Sequence, residues 1–289
     1  MKHTINVIGI ASGMGANDIG CQQGPQAIKE ACVTLLKKSY QDVNWTEITL
    51  PELATESKYE KIAQICIEAA QLTYKSVKGK TFFLAVSGDH ACAIGTWSGV
   101  AHALDSDEKL GLIWVDAHMD SHTPESSETG NIHGMPLASL MGYGDHRLTQ
   151  VLNAHPKLLP ECVCLVGVRS YEKGEEALLK KLGVKVYFME EVNERGLDAV
   201  LEETARYIQS KTNRYGLTID LDAFDPIEIP GVGCPVKNGL HPEAFLKAIK
   251  KIKEQVNFVG LEIAEYNPFH DVNEITKRFF LELVFELTT

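Results

Sequence analysis

Two short segments of the chain place carboxylates and an imidazole at alternate positions. V-D-A-H-M-D (115–120) carries Asp116, His118 and Asp120, and I-D-L-D-A-F-D-P (219–226) carries Asp220 and Asp222. Alternate side chains of an extended strand share a face, so each segment presents a row of ligand atoms in one direction. Four carboxylates and an imidazole carry too much charge to be buried without a cation. The spacing therefore predicts a site for two divalent metal ions.

Each motif alone has a simpler interpretation. D-x-H-x-D is also compatible with a solvated polar cluster at the end of a strand, and the D-x-D pattern is weaker still because Asp is common in turns. A donor set dominated by carboxylates favours Mn²⁺ over Zn²⁺, which prefers more nitrogen or sulfur. Co²⁺, Ni²⁺ and Fe²⁺ also fit such ligands, so the sequence leaves the identity of the metal open.

The elements that must position these residues are short apolar runs separated by helical stretches. Runs that are apolar on both faces indicate strands of a parallel sheet covered by helices, and they occur at 5–10, 81–86, 110–115, 162–168, 215–221 and 258–263. Helical spacing occurs at 59–78, 175–182, 197–210 and 242–254 and in the last segment, 273–287. No linker or repeat marks a boundary, so we expect residues 1–289 to form a single α/β domain.

Polar clusters follow five of these runs. They are S-G-D-H (87–90), D-A-H-M-D (116–120), R-S-Y-E (169–172), D-L-D-A-F-D-P (220–226) and E-Y-N-P (265–268). Ligands of open parallel sheets bind outside the carboxyl ends of the strands, so the five segments are expected to converge on one crevice. The irregular stretch 121–134 follows the D-A-H-M-D strand, and a long loop inside a compact domain is usually functional.

The overall composition excludes some classes of binding partner. The formal net charge of −11 and the pI near 5.4 argue against nucleic acid and anionic membrane surfaces. No apolar run is long enough for a membrane span, and the first residues lack the pattern of a signal peptide. The seven cysteines are scattered and odd in number, and Cys162 and Cys164 are interpreted as small buried thiols. These features predict a protein of the reducing cytoplasm.

The glycines near the N-terminus form an incomplete nucleotide-binding pattern. Gly13 and Gly15 follow the first predicted strand, but Asp18 stands where the third glycine of the dinucleotide fingerprint would be. We therefore expect a tight connection from strand to helix and no dinucleotide.

Taken together, the motifs resemble those of the ureohydrolase family, which comprises arginase, agmatinase and their relatives. The resemblance runs from G-C-Q-Q-G-P (20–25) to E-Y-N-P (265–268), and G-D-H, D-A-H-x-D and D-x-D-x-x-D-P occur in the family order. It implies a three-layer α/β/α fold with a mostly eight-stranded parallel sheet. It also implies a homo-oligomer, either a trimer or a hexamer, that acts on a small guanidino substrate with two Mn²⁺ ions per subunit.

The resemblance also assigns roles to individual residues. One metal would take His90, Asp116, Asp120 and Asp220, and the other would take Asp116, His118, Asp220 and Asp222. Glu265 would hold the guanidinium, and His133 in the loop would carry a proton to the departing amine. Their simpler interpretations are a surface acid and a loop-packing histidine.

Substrate choice is expected to depend on the loop after D-A-H-M-D. Ser127, Thr129 and Asn131 stand where arginases bind the α-carboxylate of arginine, which predicts hydrolysis of L-arginine to L-ornithine and urea. His122 replaces a usual Asn, and Glu172 replaces the usual Asp that meets the α-amino group. Further departures from the family pattern are Ser170, which replaces a carboxylate, and Ser87, which replaces a glycine.

Other functions remain compatible with this pattern. Within the same chemistry, the alternatives are agmatinase, formimidoylglutamase or another guanidino-acid hydrolase. A single-zinc deacetylase would use Asp116, His118 and Asp222 but would leave His90 and the other carboxylates unexplained. A metal-binding scaffold without catalysis would not require His133 and Glu265.

Overall fold

The computed structural model describes residues 2–50, 57–253 and 257–289. Eight strands form one sheet, and they are β1 (Lys2–Ala11), β2 (Tyr40–Thr49), β3 (Phe83–Ser87), β4 (Leu110–Val115), β5 (Val163–Val168), β6 (Lys185–Phe188), β7 (Arg214–Asp220) and β8 (Phe258–Ala264). Their order is β2-β1-β3-β8-β7-β4-β5-β6, and every neighbouring pair is parallel. The parallel sheet implied by the resemblance is confirmed.

The helices among the described residues are α1 (Gly24–Leu36), α2 (Lys58–Lys78), α3 (Ala93–Ala103), α4 (Pro136–Leu140), α5 (His146–Thr149), α6 (Lys173–Leu182), α7 (Met189–Arg195), α8 (Leu197–Lys211), α9 (Pro242–Lys253) and α10 (Ile275–Thr288). The five predicted helical stretches correspond to α2, α6, α8, α9 and α10. The predicted end of α9, Glu254, lies outside the described residues. In this part of the chain no helix is both long and apolar enough to cross a membrane.

Six of the eight strands coincide with the predicted apolar runs, and β2 and β6 were not predicted. Both unpredicted strands lie at the edges of the sheet, where each has only one neighbour. Most of their side chains are partly or fully exposed. A search for runs that are apolar on both faces therefore passes over them.

Two apolar cores cover the two faces of the sheet. Along β4, Ile113 and Val115 belong to the core formed with α1, α8, α9 and α10, whereas Leu112 and Trp114 belong to the core formed with α2, α3 and α4. Successive strand residues point to opposite faces, so one continuous apolar run supplies both cores. The result is the three-layer α/β/α arrangement, and it leaves the carboxyl ends of the strands as the open edge of the sheet.

Candidate metal centre and adjoining cavity

The five polar clusters follow five strands that are adjacent in the sheet. These strands occur in the order β3-β8-β7-β4-β5. Because all of them are parallel, their carboxyl ends lie along one edge of the sheet. The convergence that the sequence predicted therefore occurs, although the segments involved are separated by up to about 180 positions along the chain.

The predicted ligands form two groups with one shared carboxylate. Nδ1 of His90 lies 3.1 Å from Oδ2 of Asp116, 3.0 Å from Oδ2 of Asp120 and 3.1 Å from Oδ2 of Asp220. Nδ1 of His118 lies 3.0 Å from Oδ2 of Asp222 and 3.5 Å from Oδ1 of Asp116. The two oxygens of Asp116 thus belong to different groups, as expected of a carboxylate that bridges two ions.

The carboxylate oxygens around His90 fit a metal ion better than a network of hydrogen bonds. One ring nitrogen donates at most one hydrogen bond, yet three carboxylate oxygens surround Nδ1 of His90. Oδ2 of Asp120 is buried and makes no hydrogen bond. Burial and the charge of Asp116 raise the pKa of Asp120 to about 7, and burial with the charges of Asp222 and Asp116 raises the pKa of Asp220 well above its usual value. A cation would satisfy these oxygens.

A buried chain of hydrogen bonds determines which nitrogen of His90 faces the carboxylates. Nε2 of His90 lies 2.9 Å from Oγ1 of Thr218, which itself donates to Glu262 at 3.1 Å. Since the hydroxyl proton of Thr218 is used in that bond, Thr218 accepts a hydrogen bond from Nε2 of His90. Nδ1 is therefore the nitrogen that faces the carboxylates, where its lone pair would be available to a metal ion.

The fully buried carboxylate at the end of this chain receives several donors. Oε1 of Glu262 accepts from Ser87 at 2.7 Å and Thr96 at 2.9 Å, and Oε2 also accepts from Trp97 at 2.7 Å. Burial raises the pKa of Glu262, and the nearby His90 and the hydroxyl donors oppose that increase. Ser87, a departure from the family pattern, is thus one of the groups that stabilise this charge.

We expect the substitution Thr218→Val to weaken metal binding by about 10-fold to 100-fold, because His90 loses the partner that orients its ring. Valine has nearly the same shape as threonine, so the packing of β7 is retained. Metal content after dialysis against graded chelator measures the change. The control is Thr204→Val in α8, a fully buried threonine that belongs to neither ligand group. Equal metal affinity in the two variants would contradict the expectation.

His133 and Glu265 form a buried pair beside the ligand groups. Nδ1 of His133 lies 3.1 Å from Oε1 of Glu265, which also accepts the backbone N–H of His90 at 2.9 Å. Oε2 of Glu265 accepts from the thiol of Cys21 at 3.1 Å. Burial lowers the pKa of His133, but the ion pair with Glu265 outweighs this and raises the pKa to about 9. His133 is therefore cationic at neutral pH.

Backbone strain accompanies these contacts. Asp120 and Glu265 have φ angles of 50° and 67°, a left-handed conformation that non-glycine residues seldom adopt and that clusters at functional sites. The N-terminal glycine turn lies against the same region. Gly15 has no room for a Cβ beside Asp89, and its carbonyl accepts the backbone N–H of His133 at 3.1 Å. The connection is longer than predicted, since residues 12–18 and a short 3-10 helix (Ile19–Gln23) separate β1 from α1, but its glycine turn contacts the histidine loop.

A cavity of about 180 Å³ opens above the ligand groups. It is lined by His118, Asp120, His122, Ser127, Thr129, Asn131, His133, Gly134, Glu172, Glu175, Asp220, Asp222 and Cys234. All five predicted substrate-binding residues are in this set. Glu265 is not, because its side chain lies behind His133, where it is 1% exposed.

A second histidine–carboxylate group lies at the mouth of the cavity. Nε2 of His122 lies 2.7 Å from Oε2 of Glu172 and 3.3 Å from Oε2 of Glu175. Glu175 is buried, and burial with the adjacent Glu172 raises its pKa to about 8. Hydrogen bonds with Glu175 and His122 lower the pKa of Glu172.

Several residues of this region were not anticipated from the sequence. Glu262 had a visible signal, since it is the one charged residue in the apolar run 258–263. Cys21, Glu175 and Cys234 had none, because a thiol in a turn and a glutamate in a helix are ordinary. Arg169 was expected near the crevice, and its guanidinium donates instead to backbone carbonyls, including that of Asp222 at 2.8 Å. It supports the loop that carries this aspartate.

Comparison with known proteins is consistent with this geometry. The family model described as the arginase family matches residues 3–289. The arginase of Bacillus caldovelox is 36% identical over 92% of each chain. The crystal structure of the Bacillus subtilis arginase superposes with a TM-score of 0.91 at 36% identity over 98% of each chain. That of the Entamoeba histolytica arginase with L-ornithine gives 0.92 at 28% identity over 99% of each chain. The chain belongs to the arginase family.

Proposed function

We propose that the whole chain, as a single domain, hydrolyses the guanidino group of L-arginine to urea and L-ornithine with two Mn²⁺ ions. The observation that carries the proposal is the pair of ligand groups sharing Asp116, next to the buried pair of His133 and Glu265. The arginases to which the chain is similar support the choice of arginine. A single-metal deacetylase would leave the cluster around His90 without a role.

The ligands proposed for the two ions extend the two groups, with Asp220 shared as the resemblance implies. His90, Asp116, Asp120 and Asp220 would hold one ion, and Asp116, His118, Asp220 and Asp222 would hold the other. The predominance of carboxylate oxygen supports Mn²⁺ over Zn²⁺. When bound, two such cations would activate water at neutral pH and would stabilise the negative charge that develops during hydrolysis.

The remaining residues of the site would bind the substrate and move its protons. The negative charge of Glu265, buried behind His133, would attract the guanidinium into the cavity. His133 would deliver a proton from its ring to the departing amine, since the adjacent carboxylate keeps it protonated at neutral pH. Asp120 would combine metal binding with a position on the cavity wall facing the reacting group.

The amino-acid tail of the substrate would lie towards the loop at the cavity mouth. Ser127, Thr129 and Asn131 offer hydroxyl and amide donors for an α-carboxylate. Glu172 and His122 supply polar groups near the α-ammonium position. The Entamoeba histolytica arginase was crystallised in complex with L-ornithine, which supports an amino-acid tail here.

We also propose a homo-oligomer, a trimer or a hexamer, located in the cytoplasm. The resemblance supports the assembly, and the free state of all seven cysteines supports a reducing compartment. The small guanidino substrate is the only partner that the cavity requires.

A substrate panel tests the proposed function. We expect the protein loaded with Mn²⁺ to release urea from L-arginine with kcat/KM at least about tenfold above that for agmatine, which lacks the carboxylate that the loop would bind. Urea and ammonia should be measured separately with L-arginine, agmatine, formimidoylglutamate and other guanidino acids. Turnover of another member of the panel without urea from arginine would refute arginine as the substrate.

A further inference from the structure

Two departures from the family pattern meet at the cavity mouth. His122 stands in place of an asparagine, and Glu172 stands in place of an aspartate. Their side chains are in contact, with Nε2 of His122 2.7 Å from Oε2 of Glu172. The two substitutions are therefore one structural feature, and neither the metal ligands nor His133 account for it.

Glu172 needs a partner if it is to hold a fixed position. Its side chain is 62% exposed, and an exposed glutamate loses considerable rotamer entropy when it is ordered. His122 is only 10% exposed, so its ring is constrained by packing. A carboxylate only accepts, so Nε2 of His122 donates to it in a charge-assisted bond. This bond offsets the cost of ordering Glu172.

His122 is itself held by a second hydrogen bond, in which its Nδ1 lies 3.1 Å from Oγ of Ser126. Oε2 of Glu175 lies 3.3 Å from Nε2, beside the hydrogen bond to Glu172. Glu175 also accepts the backbone N–H of Glu172 at 3.1 Å and that of Ser121 at 3.1 Å. One buried carboxylate thus joins the loop after β4 to the first turn of α6. The positions of His122 and Glu172 are set together.

We propose that His122 is a positioning residue that, together with the bond from Glu175 to the backbone of Glu172, fixes the Glu172 side chain at the cavity mouth to receive the α-ammonium group of the substrate. The inference rests on the proposed hydrolysis of an amino-acid substrate. In this role, His122 contributes to the preference of the enzyme for substrates that carry an α-ammonium group over otherwise identical substrates that lack it. The carboxylate of Glu172 lines the cavity and stays open enough for such a ligand.

The test compares L-arginine with 5-guanidinopentanoate, which lacks only the α-amino group. In His122→Asn we expect KM for L-arginine to rise about tenfold, with a smaller effect on kcat, because one charge-assisted hydrogen bond no longer orders Glu172. KM for 5-guanidinopentanoate should change by less than about twofold. His122→Gln, whose amide can donate to Glu172, should recover part of the loss.

The matched control is His241→Asn. Nδ1 of His241 lies 2.8 Å from Oε2 of Glu228, and both side chains are exposed. The substitution therefore removes a comparable histidine–glutamate pair outside the cavity. Equal KM changes for the two substrates in His122→Asn would overturn this inference but leave the proposed function standing. So would a third equivalent of bound Mn²⁺ that disappears in this variant, since His122, Glu172 and Glu175 would then be metal ligands. No urea from L-arginine with the unaltered enzyme would overturn the proposed function and the inference together.

Discussion

Replacing Asp116 with asparagine is expected to reduce urea release from L-arginine by at least about a thousandfold, because metal ions contribute several kcal/mol of transition-state stabilisation. Asp116 belongs to both ligand groups. Its substitution should therefore affect two ions, whereas a change at Asp222 should affect chiefly one. The variant keeps the size of the side chain and removes the charge.

The measurement is the number of Mn²⁺ ions per chain together with steady-state urea production. We expect fewer than about one tightly bound ion per chain in Asp116→Asn, compared with two in the unaltered protein. Asp42→Asn is the control, since Asp42 is exposed on the edge strand β2. Two tightly bound ions in Asp116→Asn would show that this carboxylate does not bridge the ions.

Removal of the metal is expected to lower thermal stability far more at pH 8 than at pH 5. In the metal-free protein, burial raises the pKa of Asp120 to about 7 and that of Asp220 well above its usual value. A carboxyl group whose folded pKa is raised stabilises the fold most below its unfolded pKa, and this contribution is lost as the pH rises through the folded pKa.

The two histidines act in the same direction. Their neighbouring carboxylates outweigh burial and raise the pKa values of His90 and His118 well above the usual value. The stability gained from a histidine with a raised pKa is present below about 6.5 and is lost as the pH rises through the folded pKa. The metal-free protein should therefore become less stable from about pH 4 upwards, with most of the loss from Asp120 complete near pH 7.

The effect should be large enough to measure by differential scanning calorimetry. A loss on the order of 3 kcal/mol between pH 5 and pH 8 corresponds to about 10 °C in Tm for a chain of this size. With saturating Mn²⁺ the ionised carboxylates are neutralised, and the decrease should be much smaller. The same comparison in Asp116→Asn should show a reduced response to Mn²⁺. A metal-dependent increase in Tm that is equal at pH 5 and pH 8 would contradict the expectation.

Much of the fold could be predicted because its central strands are buried on both faces. Such strands appear in the sequence as continuous apolar runs, and six of the eight strands coincide with them. The edge strands β2 and β6 could not be found in this way, since a strand with one neighbour tolerates polar side chains. Their existence depends on pairing with β1 and β5, which no local pattern records.

The candidate site was predictable to the extent that its residues follow strands. Parallel strands bring their carboxyl ends to one edge, so polar clusters such as those containing His90, Asp116 and Asp220 must meet wherever the strands are neighbours. The resemblance supplied their proposed roles and those of His133 and Glu265. The contact between His122 and Glu172 was not predictable, because it joins two loops through a glutamate of α6.

The amino-acid types specify the chemistry of the ligands, but the predicted shared strand face is wrong: β4 ends at Val115 and β7 at Asp220, so His118, Asp120 and Asp222 lie beyond the strands. Alternation of side chains holds only for an extended chain, whereas Asp120 has a φ of 50° and Asp222 lies in a short 3-10 helix (Leu221–Ala223). The packed structure is needed to show that Nδ1 of His90 faces the carboxylates and that Glu262 sets this orientation through Thr218. These relations depend on the order of strands in the sheet, which places β8 and β7 between β3 and β4. Strand order is a property of the whole packed sheet, so no local spacing specifies it.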